Sequence, residues 1–156
     1  MARIAVAQMD PDAASIEVNL QKTRALVEGA SAQGAELVLL PEVALRGQDT
    51  EGKPIAHAIP GPATDALAAM ARDARAWIIM GLAEANPQGK PYNSAVVINP
   101  NGQTVDVYRK VFLYMGEANG YTPGDRACVL DLGFCKAGLT ICYDYIFPEY
   151  VRALVV

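Results

Sequence analysis

The segment "GLTICYDYIFPEYVR", residues 138–152, sets a cysteine where the apolar run Leu139-Thr140-Ile141 meets an acid, aromatics and a Pro-Glu pair. A packing cysteine would sit inside such a run. Cys142 stands at its end, where side chains tend to face a cleft. A neutral thiol is a poor nucleophile and needs a base or a nearby cation. The single histidine, His57, lies in the Pro/Gly-containing loop "GKPIAHAIPGP" and reads as a structural or surface residue. Acids and lysines at strand ends are the remaining partners, since α/β sites are usually built there. "LVLLPE" delivers Glu42 at the exit of the most apolar strand, and "VDVYRK" delivers Lys110 at the end of another. Each has a bland reading alone: a solvated glutamate, an edge-strand lysine that discourages aggregation, a buried inert cysteine.

The elements that must position these groups follow from periodicity. Residues 3–8 read as a short strand broken by Asp10-Pro11-Asp12, and 15–33 as a helix with Ile16, Leu20, Thr23, Val27 and Ala30 on one face. Gly34 suits the helix C-terminus, and 36–40 reads as a strand buried on both faces because it does not alternate. A long loop over 43–62 follows, functional or mobile by its length. Then come a helix over 63–74, with Leu67, Met70, Ala71 and Ala74 inward, and a strand over 77–85. The turns "NPQGKP" and "NPNG" set off strands at 92–98 and 103–109. Strands at 128–132 and 136–141 meet through Gly133, and a helix starts near Pro148. Cys128 and Cys135 are read as packed within these last strands. Crossovers mixed with hairpins predict an α/β fold with a mixed sheet, in one domain spanning 1–156.

Composition narrows the function. The 156 residues are 52% hydrophobic and 19% charged, with a formal net charge of −4, the profile of a globular domain. No Lys/Arg cluster exceeds Arg109-Lys110, which argues against nucleic acid as a partner. The apolar start is too short for a signal peptide or a spanning helix, so the expectation is a cytoplasmic protein with no membrane partner. Three cysteines without a CxxC pair, and one distant histidine, predict neither a disulfide framework nor a zinc site.

Together, Leu40-Pro41-Glu42, Tyr108-Arg109-Lys110 and Cys142-Tyr143-Asp144 with Phe147-Pro148-Glu149 resemble the carbon–nitrogen hydrolase (nitrilase) superfamily. The flanks "GAELVLLPE", "YNSAVVINPNG" and "YTPGD" look similar too, so the resemblance covers essentially the whole chain. It implies a Glu-Lys-Cys triad of Glu42, Lys110 and Cys142. Glu117 matches the second glutamate of many amidase members, or is a loop glutamate without a partner. In such a site Glu42 takes the thiol proton, and Lys110 with the backbone N–H of Tyr143 stabilises the oxyanion. No metal or organic cofactor is required. Tyr143-Asp144 looks like the amidase and carbamoylase branches, which implies a small carboxamide or N-carbamoyl substrate; a nitrile is the alternative. Tyr145 and Tyr121 either line the pocket or pack.

The family fold is an alpha-beta-beta-alpha four-layer sandwich, and the sequence carries only fourteen residues after Cys142. The chain therefore reads as the N-terminal part of that fold, truncated at the C-terminus, and a non-catalytic fragment or interaction module is the competing reading. Its two helices and one incomplete helix look too few to cover both sheet faces. Self-association as a homo-oligomer and weak turnover of amides are the expectations.

Overall fold

The computed structural model describes residues 1–49 and 55–155. Its elements run β1 (Ile4–Val6), α1 (Ile16–Ala32), β2 (Leu37–Leu39), α2 (Pro62–Ala74), β3 (Trp77–Glu84), β4 (Tyr92–Ile98), β5 (Thr104–Arg109), β6 (Val129–Asp131), β7 (Lys136–Gly138) and α3 (Pro148–Ala153). Two 3₁₀ turns, Met115–Asn119 and Cys142–Ile146, punctuate the second half. Residues 50–54 of the long loop lie outside the described residues.

Helix boundaries follow local chemistry. Ser15 caps α1 by accepting the Val18 N–H at 3.2 Å, which satisfies a donor the helix leaves free. Pro62 opens α2 at the position where a missing N–H costs nothing. Asn19, Thr23, Val27 and Ala30 form the buried face of α1. The expected face is shifted slightly, because the Asn19 amide turns inward to hold Asp12 and Arg46.

The five strands β1-β2-β3-β4-β5 form one mixed sheet, parallel from β1 to β3 and antiparallel from β3 to β5. Alternation sorts its residues. Val38, Ile78, Met80, Val96 and Ile98 face α1 and α2, in a core with Val27, Leu67 and Met70. Leu37, Ile79, Ala95, Val97 and Tyr108 face the other way. There the antiparallel pair β6–β7 supplies Leu130, with Leu132, Leu139 and Ile141 beside it, and Tyr150 of α3 packs on the same cluster.

Three readings are corrected. The second sheet face is not bare at its centre, because β6–β7 and α3 cover it. Strand β7 stops at Gly138 instead of reaching 141, since the Ile141 N–H is taken by the Asp144 carboxylate at 2.9 Å and not by a neighbouring strand. Cys135 is exposed in the turn between β6 and β7, where the Leu132 N–H donates to the Cys135 carbonyl at 2.9 Å. Cys128 is buried as expected. Its thiol donates to Asp106 Oδ2 at 3.3 Å, and burial first, then this carboxylate, pushes it up to about 11.

Candidate active site

Glu42 leaves the end of β2 in a turn that lies against β3. A Cβ at Gly81 would come within 2.5 Å of Glu42 Cα and 2.6 Å of the Pro41 carbonyl. Only glycine allows the two backbones to approach this closely. The Gly81 N–H donates to the Pro41 carbonyl at 3.1 Å, and the Ala44 N–H to the Gly81 carbonyl at 2.9 Å. Lys110 follows β5 directly and is fixed at both backbone ends. Its N–H donates to the Asn93 carbonyl, and its carbonyl accepts the Gly124 N–H, both at 2.8 Å.

The side chains then meet. Lys110, 1% exposed, places Nζ 3.0 Å from Glu42 Oε1 and 2.9 Å from Glu117 Oε2. Burial alone would pull this ammonium down, but the hydrogen bonds and charges of Glu117 and Glu42 outweigh it and hold the pKa above the usual lysine range. Glu117 is oriented in turn by the Tyr114 N–H, which donates to Oε2 at 2.6 Å. The structure thus brings three of the residues singled out in the sequence, Glu42, Lys110 and Glu117, into one cluster.

Cys142 opens its 3₁₀ turn with φ of 45°. Asp144, fully buried, clamps that turn to the β5 exit. Its Oδ2 accepts from Tyr108 Oη at 2.6 Å and from the Ile141 N–H at 2.9 Å. Its Oδ1 accepts the Phe112 N–H at 2.8 Å and the Val111 N–H at 3.2 Å. The chain before Cys142 and the chain on either side of Lys110 are therefore tied to one carboxylate. Among the described residues no hydrogen bond joins Cys142 Sγ to Glu42 or Lys110; the link runs through Asp144.

Backbone strain concentrates here. Among the described residues four non-glycine residues have positive φ: Val43, Arg75, Met115 and Cys142. Arg75 is the C-cap of α2. The others adjoin Glu42, lie two residues before Glu117, or are the cysteine itself. Such conformations cost on the order of 1–3 kcal/mol each and cluster at functional sites.

Sequence reasoning missed Asn93, Asp144 and the glycines. Asn93, buried, donates from Nδ2 to Glu42 Oε1 at 2.7 Å, and its buried Oδ1 has no hydrogen-bond partner among the described residues. Glycine inside the apolar strand "WIIMGLAE" was an available signal of close backbone approach. The tyrosines separate. Tyr121 lines a cavity with Glu42 and Glu117. Tyr143 packs edge-on against Tyr114 and Phe147, with centroids at 5.0 and 5.3 Å. Tyr145 is exposed and outside the lining of that cavity. His57 is buried, with Nε2 2.9 Å from the Leu45 carbonyl. Among the described residues no cluster of three or more His, Cys, Asp or Glu could hold a metal ion.

A family model for carbon–nitrogen hydrolases matches residues 3–156. The chain belongs to the carbon–nitrogen hydrolase family. A nitrilase of Pyrococcus abyssi is 41% identical over 99% of this chain and 60% of its own length. An omega-amidase of Bos taurus is 32% identical over 96% of this chain and 58% of its own. Among solved structures, an amidase from Nesterenkonia sp. superposes with a TM-score of 0.82 at 28% identity, covering 97% of this chain and 59% of that one. A mutant of that amidase, 28% identical with a TM-score of 0.83 over 98% of this chain and 62% of that one, carries acrylamide added at its active-site cysteine. The chain spans about three-fifths of the length of these relatives. No described helix is long and apolar enough to cross a membrane.

Proposed function

We propose that this carbon–nitrogen hydrolase chain carries the Glu-Lys-Cys centre of an amidase acting on small carboxamides or N-carbamoyl compounds. The supporting observation is the buried Lys110 ammonium shared by Glu42 and Glu117, with Cys142's turn clamped beside it through Asp144. Glu42, 33% exposed, takes the Cys142 proton as general base, and the thiolate attacks the amide carbon. The Tyr143 N–H and Lys110 stabilise the oxyanion, each such donor being worth about 10²–10³ in rate. Glu42 returns its proton to the departing ammonia or amine, leaving a thioester on Cys142. Water, deprotonated by the same carboxylate, cleaves the thioester and releases the acid. Glu117 orients Lys110 and the substrate amide. The chemistry balances with sulfur, carboxylate, ammonium and water alone.

The 41% identity to a nitrilase favours nitriles as the second reading. Ammonia release from matched amides and nitriles separates the two. Turnover of amides that vanishes in Cys142→Ala supports the amidase. Ammonia from nitriles alone selects the second reading, and no ammonia from either rejects both. The same proposal places the protein in the cytoplasm as a homo-oligomer. Ile4 and Val6, exposed on the unpaired edge of β1, support the latter.

A further inference from the structure

We propose that Asn93 is the positioning residue of the base: its side-chain amide fixes the plane of the Glu42 carboxylate and so sets which oxygen meets the Cys142 proton. This rests on Glu42 acting as the base in the amidase reading, and it adds a residue to that centre. Asn93 lies on β4 in the row whose other members, Ala95 and Val97, belong to the apolar cluster on that face of the sheet. It is 1% exposed, and its Nδ2 donates to Glu42 Oε1 at 2.7 Å. Its backbone carbonyl accepts the Lys110 N–H at 2.8 Å. One residue therefore holds the base through its side chain and the cation through its backbone.

Lys110 alone does not orient the carboxylate. Its ammonium is a compact charge with three rotatable donors, shared here between Glu42 and Glu117. It sets the distance of Oε1 and leaves the carboxylate plane free to turn. An amide N–H held on a buried strand is directional, and it reaches the same oxygen, Oε1, so that Oε2 keeps no described donor. The strand register reinforces this. Asn93 pairs with Ala83, and Ala95 with Gly81. The strand pair that seats the Glu42 backbone at Gly81 thus also supplies its side-chain donor. The amide cannot turn over, because Oδ1 would then meet Oε1, acceptor against acceptor. Held this way, Oδ1 is buried with no partner among the described residues. An unmet buried acceptor destabilises a fold, and asparagine is disfavoured in strands. Packing alone would favour an apolar side chain here, and the bond to Glu42 accounts for the amide.

Iodoacetamide labelling of Cys142 tests this, with exposed Cys135 as the reference and buried Cys128 as the reporter of folding. Asn93→Leu, whose side chain branches alike but donates nothing, is expected to slow Cys142 about tenfold, as loss of a bond to a charged group would give. Cys128 should stay unlabelled. The acid limb of the Cys142 labelling profile should also move to higher pH, because the lost donor favoured the ionised carboxylate. Lys110 beside Glu42, and Arg46, Glu117 and Tyr121 along its cavity, are the same in both chains, so the displacement reads the missing amide. In the Glu42→Gln background Asn93→Leu should add nothing, since the residue acts only through that carboxylate. Unchanged labelling of Cys142 in Asn93→Leu, or a full further slowing on top of Glu42→Gln, overturns the proposal. So does labelling of Cys128 in both Asn93→Leu and the smaller Asn93→Ala, which would assign the residue to the fold. Failure of the amidase reading shows separately: Glu42→Gln by itself then leaves Cys142 labelling as in the parent.

Discussion

Glu42 shares Oε1 between Lys110 Nζ at 3.0 Å and Asn93 Nδ2 at 2.7 Å, and no described donor occupies Oε2. Oε2 is therefore the oxygen that the proposed mechanism would use to exchange protons with Cys142. Replacing Glu42 with Gln removes the base, and turnover should fall by at least the typical 10²–10⁴. The same variant should slow iodoacetamide labelling of Cys142 while leaving Cys135, exposed in the β6–β7 turn, as an internal reference. Peptide mass mapping reads both rates at once; equal labelling of Cys142 in the two chains would contradict the assignment. Cys128, buried and pushed up to about 11, should stay unlabelled at neutral pH. Lys110 invites a different test. Lys110→Met leaves two carboxylates facing each other and should cost roughly 3 kcal/mol, the low end for a broken buried pair because both partners keep some solvent. Its pKa is raised in the fold, so its contribution is fully present below the ordinary lysine value of about 10.4 and is lost as pH rises past it. The stability gap between wild type and Lys110→Met should hold from pH 7 to about 10 and close above that. A gap that narrows between pH 7 and 9 would show that another group carries it.

Elements bring these residues together, and Asp144 is the clearest case. One carboxylate accepts four hydrogen bonds, from Tyr108, Ile141, Val111 and Phe112. Asp144→Asn turns one acceptor into a donor against those groups. It should cost about 2–4 kcal/mol in urea unfolding and erase the labelling advantage of Cys142. Tyr108→Phe removes one of the four donors to Asp144 and the acceptor of the Tyr150 hydroxyl, and should cost only about 1–2 kcal/mol with the advantage retained. If the two variants behave alike, the clamp is not what holds the cysteine. Much of this framework is legible in the sequence. Periodicity places α1, α2 and β3 to β5 within a residue or two, because each is long and patterned. The catalytic candidates are legible because Glu42, Lys110 and Cys142 stand at strand exits in segments that together resemble the family's motifs. The clamp is not, because "CYD" shows an acid but not its partners 32 to 36 residues away on β5 and its exit. Asn93, 51 residues from Glu42 in sequence, is hidden for the same reason. Cys135 is misread because hydrophobic periodicity cannot locate a tight turn between two three-residue strands.

At the scale of the whole molecule, both faces of the sheet are covered at the centre, and the exposed apolar side chains include two, Ile4 and Val6, on the edge strand β1. The register of β1 on β2 aligns Ile4 with Leu37 and Val6 with Leu39. These residues share the face that β6–β7 and α3 cover, but Ile4 remains 49% and Val6 78% exposed. The strand carries no lysine, proline or bulge of the kind that blunts a free edge. Two apolar side chains beside an unpaired row of backbone groups form a template for a second copy, and the modest net charge of −4 offers little repulsion against it. Light scattering on the chain should therefore show association that grows with concentration. Ile4→Lys combined with Val6→Lys should shift the population toward monomer, and the melting temperature at low concentration should change little because neither side chain is in the core. A monodisperse monomer in the unsubstituted chain would sink this reading, as would association that the double variant leaves untouched.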